Sequence, residues 1–147
     1  MTALSAVVGA CGGDDADGTS VQDFMESAGQ VRAITVSDIY DRDVSDVVIV
    51  CAYTGATAIT DELGFDWPGA TSLAKQVDTS DSHQAVIAVH HGEVVESEVM
   101  LIDVLYVCDM DLAYPATIDA GTTLKVSWSS TAWSDGTTKT VPVASVD

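Results

Sequence analysis

Five apolar residues in a row, Val47-Val48-Ile49-Val50-Cys51, constrain this chain more than any other stretch. The run is short, rich in β-branched residues and followed by turn residues at Thr54-Gly55. Val47 to Tyr53 therefore reads as a central β-strand. A central strand needs partners on both edges, and the second half of the chain offers them in period two. Gln84 to His90 is predicted as a strand, His91-Gly92 as a tight turn and Glu93 to Met100 as the returning strand. Thr123 to Ser129 alternates, with Leu124, Val126 and Trp128 on one face and Lys125, Ser127 and Ser129 on the other. Ser134-Asp135-Gly136 is a hairpin turn from which Thr137 to Val143 pairs back, and Pro142 marks that strand as an edge. Between these segments, Leu101 to Cys108 either continues the preceding strand or bends near Asp103.

Helical spacing is confined to the first half. Thr19 or Ser20 can cap a short helix from Val21 to Ala28, with Gly29 as its stop. Val31 to Tyr40 alternates with one irregular step and reads as a strand, followed by a loop at Asp41-Arg42-Asp43. A second helix carries Ala56, Ile59 and Leu63 on one face and ends at Gly64. Phe65, Trp67 and Pro68 form an apolar exit loop, and Ala70 to Val77 adds a further turn or two of helix, with Leu73 and Val77 four residues apart. The expected fold is α+β: short N-terminal helices with a largely antiparallel β-sheet, in a single domain spanning residues 19–147.

The first eighteen residues are of another kind. Ala3-Leu4-Ser5-Ala6-Val7-Val8-Gly9-Ala10 is apolar and small, Cys11 ends it, and Gly12-Gly13-Asp14-Asp15-Ala16-Asp17-Gly18 follows as a Gly/Asp tether. Small residues before a cysteine and a tether after it resemble the lipobox of bacterial lipoproteins. The resemblance implies cleavage before Cys11, acylation of its thiol and new amino group, and an extracytoplasmic protein anchored to the cell membrane. It departs from that pattern in having no Lys or Arg before the apolar run, and Gly9 where Ala or Ser is commoner. No later segment approaches the roughly 20 uninterrupted apolar residues of a spanning helix. With Cys11 lipidated, Cys51 and Cys108 remain, each ending an apolar run. In an oxidising compartment a bridge between them is expected, with two separate buried thiols as the alternative.

Charge narrows the partners. The formal net charge is -18, from 23 acidic and 5 basic side chains among 147 residues. Such a surface repels nucleic acid and anionic headgroups, so nucleic-acid binding is excluded. A hydrophobic fraction of 47% nevertheless suffices for a packed core. The acidity itself has three readings: a self-repelling surface that keeps the protein soluble, adaptation to high salt, or calcium binding.

A second resemblance lies at Val47 to Trp67. An apolar strand leading to Tyr53-Thr54, a short helix carrying Asp61 and Glu62, and then Leu63-Gly64-Phe65-Asp66-Trp67 is similar to a stretch in a group of bacterial lipoproteins without an assigned activity. A strand pair like Ala85 to Val95 follows at a similar distance in them. This chain differs at Ala52, where that group commonly has Pro, and has no Trp before the strand. The resemblance implies location and fold, and no activity.

The remaining constellations are weak. Asp41, Asp43 and Asp46 begin like a calcium loop, but the sixth position is Asp46 rather than Gly and the twelfth is Ala52 rather than Glu. A solvated loop is the plainer account. Asp103, Asp109 and Asp111 flank Cys108 and Met110, a hard-cation or copper pattern that a bridge at Cys108 would spoil. Adjacent His90 and His91 point to opposite faces of a strand, and there is no zincin, Cys/His, nucleophile-elbow, P-loop or dinucleotide motif. No cofactor is expected. Trp128 belongs to an apolar face and reads as core. Trp133, in the hairpin loop, and Phe65 with Trp67, at one end of the sheet, are the aromatic candidates for a partner or sugar surface. The expected function is that of a non-enzymatic, lipid-anchored binding or accessory protein of the cell envelope, its partner an envelope protein or glycan. The alternative is a secreted metal-assisted enzyme or calcium-binding module using the Asp-rich loops.

Overall fold

The central strand carries apolar side chains on both faces, and both faces are covered. The computed structural model describes residues 20–78 and 81–146. The expected leader and tether, residues 1–18, the lipidation candidate Cys11 and the alternative cap Thr19 lie outside the described residues. In chain order the elements are helix α1 (Val21–Ala28), strand β1 (Ala33–Thr35), a 3₁₀ turn (Val36–Ile39), β2 (Asp46–Val50), α2 (Ala56–Leu63), α3 (Ala70–Asp78), β3 (His83–His90), β4 (Glu93–Leu101), β5 (Ala116–Asp119), β6 (Thr123–Ala132) and β7 (Thr138–Ser145).

The strands form two antiparallel sheets, a four-stranded one in the order β4-β3-β2-β5 and a three-stranded one in the order β1-β6-β7. The fold is thus mixed α+β and mostly sheet. Two expectations are corrected. Among the described residues there are two sheets rather than one, and the helices are not N-terminal only, because α2 and α3 lie between β2 and β3 in the chain. A crossover of that length lets both helices pack on one face of the larger sheet while β2 and β3 remain antiparallel neighbours, Val48 opposite Ile87.

That face forms one core: Val48 and Val50 of β2, Ala85, Ile87 and Val89 of β3, and Ile59, Leu73 and Val77 of the helices, with Phe65 and Trp67 packed at its margin. The other face forms a second core, in which Val47, Ile49, Val86, Ala88 and Met100 meet Met25 of α1, Ile34, Leu124, Val126 and Ala144 of the small sheet, and Leu105 and Val107. Full burial of each Val, Leu or Ile contributes about 1.5–3 kcal/mol, so the double-sided β2–β3 pair is the energetic centre of the molecule.

Local chemistry explains most boundaries. Ser20 caps α1 by accepting from the Asp23 amide at 3.1 Å, and Gly64 ends α2 in the left-handed conformation, φ 81°. His91 and Gly92 both have positive φ, 48° and 83°, as a tight two-residue hairpin turn with the sheet's twist requires. In the β6–β7 turn the Asp135 carboxylate accepts from both the amide and the hydroxyl of Thr137, which holds that carboxyl below its ordinary value. Pro142 lies in β7, an outer strand of the small sheet, as its lost donor demands.

One strand assignment differs from the sequence expectation, and one choice that the sequence left open is decided. Val31 to Tyr40 yields only three strand residues before the chain coils into the 3₁₀ turn, because Val36, Ile39 and Tyr40 all turn into the core at a spacing no strand supplies. Of the two courses open to Leu101–Cys108, the structure takes the bend rather than the continued strand. β4 ends at Leu101, the chain bends near Asp103, and Tyr106 makes an isolated parallel bridge to Val143. The backbone of this segment is satisfied partly by β7, through Tyr106, and partly by a side chain. Gln84, fully buried in β3, donates from Nε2 to the Leu105 carbonyl at 2.6 Å and accepts from the Val107 amide at 3.1 Å.

Candidate functional site

The two cysteines that end apolar runs meet. Cys51 and Cys108 are joined across 57 residues with Cα atoms 5.9 Å apart, beside the second core. The bridge ties the end of β2 to the irregular 102–115 segment. Tyr114 fastens the same segment: its hydroxyl donates to the Val107 carbonyl at 3.0 Å and accepts from the Met110 amide at 2.9 Å. Burial is the main cause holding that phenol above its ordinary value.

The Asp-rich loop does not converge. Asp41 and Asp43 are exposed, while Asp46 pairs in β2 opposite Val89. Among the described residues no group of three His, Cys, Asp or Glu side chains is placed to hold a metal ion. The loop does form one wall of a shallow depression with Ser45, His90 and His91. There the Ser45 hydroxyl donates to the Val89 carbonyl at 3.0 Å and accepts from the His91 amide at 3.3 Å, which closes the hairpin turn onto the loop.

The aromatic candidates separate. Trp128 is partly buried against the second core and its indole N–H donates to the Val31 carbonyl at 2.8 Å, a structural role. Trp133 sits half-buried in the β6–β7 turn with the Lys139 ammonium 5.0 Å from its ring centroid. Lys139 also reaches Asp103 at 3.3 Å, so one face of that indole is covered by the chain's own cation. Phe65 packs partly buried against the helix-side core. Trp67 does so too, but it also forms a wall of two clefts. One lies between α2 and α3 with Thr57, Thr60, Asp61 and Asp66, and the other between α3 and β4. A Cβ at residue 69 would collide with the Trp67 ring, so Gly69 lets the indole lie flat on the backbone.

Sequence reasoning missed the most heavily built part of this margin. The Glu98 carboxylate in β4 accepts from the amides of Val21 at 2.7 Å and Gln22 at 3.1 Å, the first two N–H groups of α1. With Ser20 accepting from Asp23, the free donors at the start of that helix are satisfied from two directions. Burial raises the Glu98 pKa above its ordinary 4.5, opposed by those two amides and reinforced by Asp23 and Glu96. Tyr40, buried beside Glu96 and Glu98, has its phenol held far above the ordinary range by that burial and by the two carboxylates. Only the period-two spacing of Glu96 and Glu98 on β4 hinted that both face the same way; their helix partner is 76 residues distant and left no local signal.

Arg42 completes the margin from the other end. One guanidinium nitrogen donates to the Val95 carbonyl at 3.3 Å and another lies 3.8 Å from Glu96. Val95 is the extra residue of a β-bulge: Ala88 pairs with Glu96 and Val89 with Val94, which leaves Val95 without an opposite number. Among the described residues β4 is the outer strand on this side of the sheet, and Ser97 and Glu98 line clefts on both of its faces. Such an arrangement can bind; it offers no nucleophile with an oriented base. Among the described residues no helix is long and apolar enough to cross a membrane. Comparison of the chain with protein-family models, with curated proteins and with solved structures found no match.

Proposed function

We propose that this chain is a lipid-anchored extracytoplasmic binding or accessory protein of the cell envelope, held to the membrane through Cys11 and without catalysis of its own. The observation that carries the proposal is the Cys51–Cys108 bridge. A disulfide joining two distant segments of a small domain suits an oxidising compartment, and it leaves Cys11 as the third cysteine, at the end of a small, apolar, lipobox-like run. Further support comes from the start of the folded body. α1 follows the Gly/Asp tether directly, and its first amides are fastened to β4 through Glu98. A pull on the tether is therefore delivered to the central sheet rather than to a loose end.

The test is mass spectrometry of the native protein from fractionated cells. The expected result is a membrane-fraction chain that begins at Cys11 and carries added acyl mass, with Cys11→Ala shifting the protein to the soluble fraction. Recovery of soluble protein with residues 1–10 intact would overturn the proposal.

A further inference from the structure

We propose that the outer edge of β4 is the binding surface, and that its partner is a basic, extended segment of another protein that adds to the sheet as a fifth strand. The inference deepens the binding-protein reading and rests on it. Three features of the structure support it.

First, the strand has the geometry. β4 spans Glu93–Leu101 and, among the described residues, is the outer strand of the larger sheet. At about 3.3 Å per residue it presents an edge of roughly 30 Å, enough to align a peptide through main-chain hydrogen bonds. Second, the helix side of the edge has room for side chains of such a peptide, and the other side offers it charge. On the helix side a cleft of about 340 Å³ is lined by Trp67, Ser72 and Gln76 together with Ser97 and Val99. On the other side the space between Tyr40, Glu96 and Glu98 is only about 20 Å³, too small to admit a side chain, and what that side presents is the partly exposed Glu96 carboxylate. A cationic side chain entering the cleft would meet an indole, and one lying over the other side would meet the Glu96 carboxylate.

Third, charge selects the occupant. Glu93, Glu96 and Glu98 all lie on this one strand. Two copies of the edge would place carboxylates against carboxylates, which discourages self-pairing and is a common protection of edge strands. A basic segment meets the opposite condition, with the molecule's charge of -18 adding attraction at longer range. Arg42 already makes the expected contacts in miniature: its guanidinium donates to a β4 main-chain carbonyl, at Val95, while facing the Glu96 carboxylate.

The experiment uses the full chain with two synthetic peptides of equal length and charge, one alternating lysine with valine and one alternating lysine with proline. Proline lacks the N–H that strand addition needs, so charge alone cannot separate the two. Titration at low salt, followed by backbone amide chemical shifts, should show the Lys–Val peptide binding with shifts along residues 93–99 and the Lys–Pro peptide binding at least about tenfold more weakly. Glu96→Lys should weaken the Lys–Val peptide by about tenfold while the amide spectrum elsewhere is retained. Equal binding of both peptides, shifts centred away from β4, no binding of the Lys–Val peptide, or dimerisation of the free chain through this edge would each overturn the proposal. Peptide binding reads the folded body and acylation reads Cys11, so the failure of one is distinguishable from the failure of the other.

Discussion

The two faces of the larger sheet are held by different means. On the helix side, α2 and α3 cover β2 and β3 through a core made of side chains alone: Ile59, Leu73 and Val77 against Val48, Val50 and Ile87. Those helices are amphipathic, short in sequence distance and end at recognisable signals such as Gly64. On the opposite face α1 and the paired strands β6 and β7 share the cover with a three-residue strand, a 3₁₀ turn and the irregular 102–115 segment, and the irregular pieces cannot satisfy their own backbone. That face is fastened individually, by the Cys51–Cys108 bridge, by Gln84 to Leu105 and Val107, by Tyr114 to Val107 and Met110, and by Glu98 to α1. Regular elements need only an apolar face to be kept in place. Irregular ones need a partner for each polar group that burial would otherwise leave unpaired.

This contrast can be broken at several points. Removing the bridge, by reduction or by Cys51→Ser with Cys108→Ser, should cost about 4 kcal/mol in the loop-entropy model, since 57 residues separate the two cysteines. Calorimetric melts with and without reductant check it. Hydrogen exchange should show the loss first at residues 102–115, with α2 and α3 the more protected; equal loss on both faces would erase the distinction.

On the helix side, Ile59→Ala should cost about 3 kcal/mol by leaving a cavity at a side chain that is fully buried. Urea unfolding is the measure. A value under about 1 kcal/mol would mean that this face too relies on ties other than packing.

The smallest effect is expected at Glu98, where the two faces meet the edge of the sheet. Its carboxyl is raised above 4.5 in the folded protein, so its contribution favours folding below that value and is lost as the pH rises through the folded value. The wild type should therefore lose stability relative to Glu98→Gln as the pH is taken from below 4.5 toward neutrality. A difference that grows in the opposite direction would mean that the α1 amides, rather than burial, dominate the site.

How much of this was readable beforehand follows the same division. The central strand read at Val47–Tyr53 (observed as Asp46–Val50), the hairpin at His91-Gly92, the helix carrying Ala56, Ile59 and Leu63, the helix at Ala70–Val77 and the edge position of Pro142 were all legible, because each depends on periodicity or on the φ preference of a few adjacent residues. Leu101–Cys108 could be read as a continued strand or as a bend near Asp103, because its apolar composition suits a strand while Asp103 interrupts it. Its actual course depends on Gln84, some 20 residues away, and composition carries no trace of that bond. Trp67 could be picked out as a candidate aromatic, but not that Gly69 seats it or that it forms a wall of the cleft beside β4. The two carboxylates on β4 were visible only as charges.

From residue order alone come the helices, the hairpins, the double-sided strand and the acidity that governs which partners are attracted, since each arises from interactions within a few residues or from a simple sum of charge. The division into two sheets, the pairing of Cys51 with Cys108 in space and the meeting of Glu98 with the first amides of α1 were decided by the tertiary structure. These depend on contacts between segments 57 to 92 residues apart, and their energy exists only once the chain between them has been folded back.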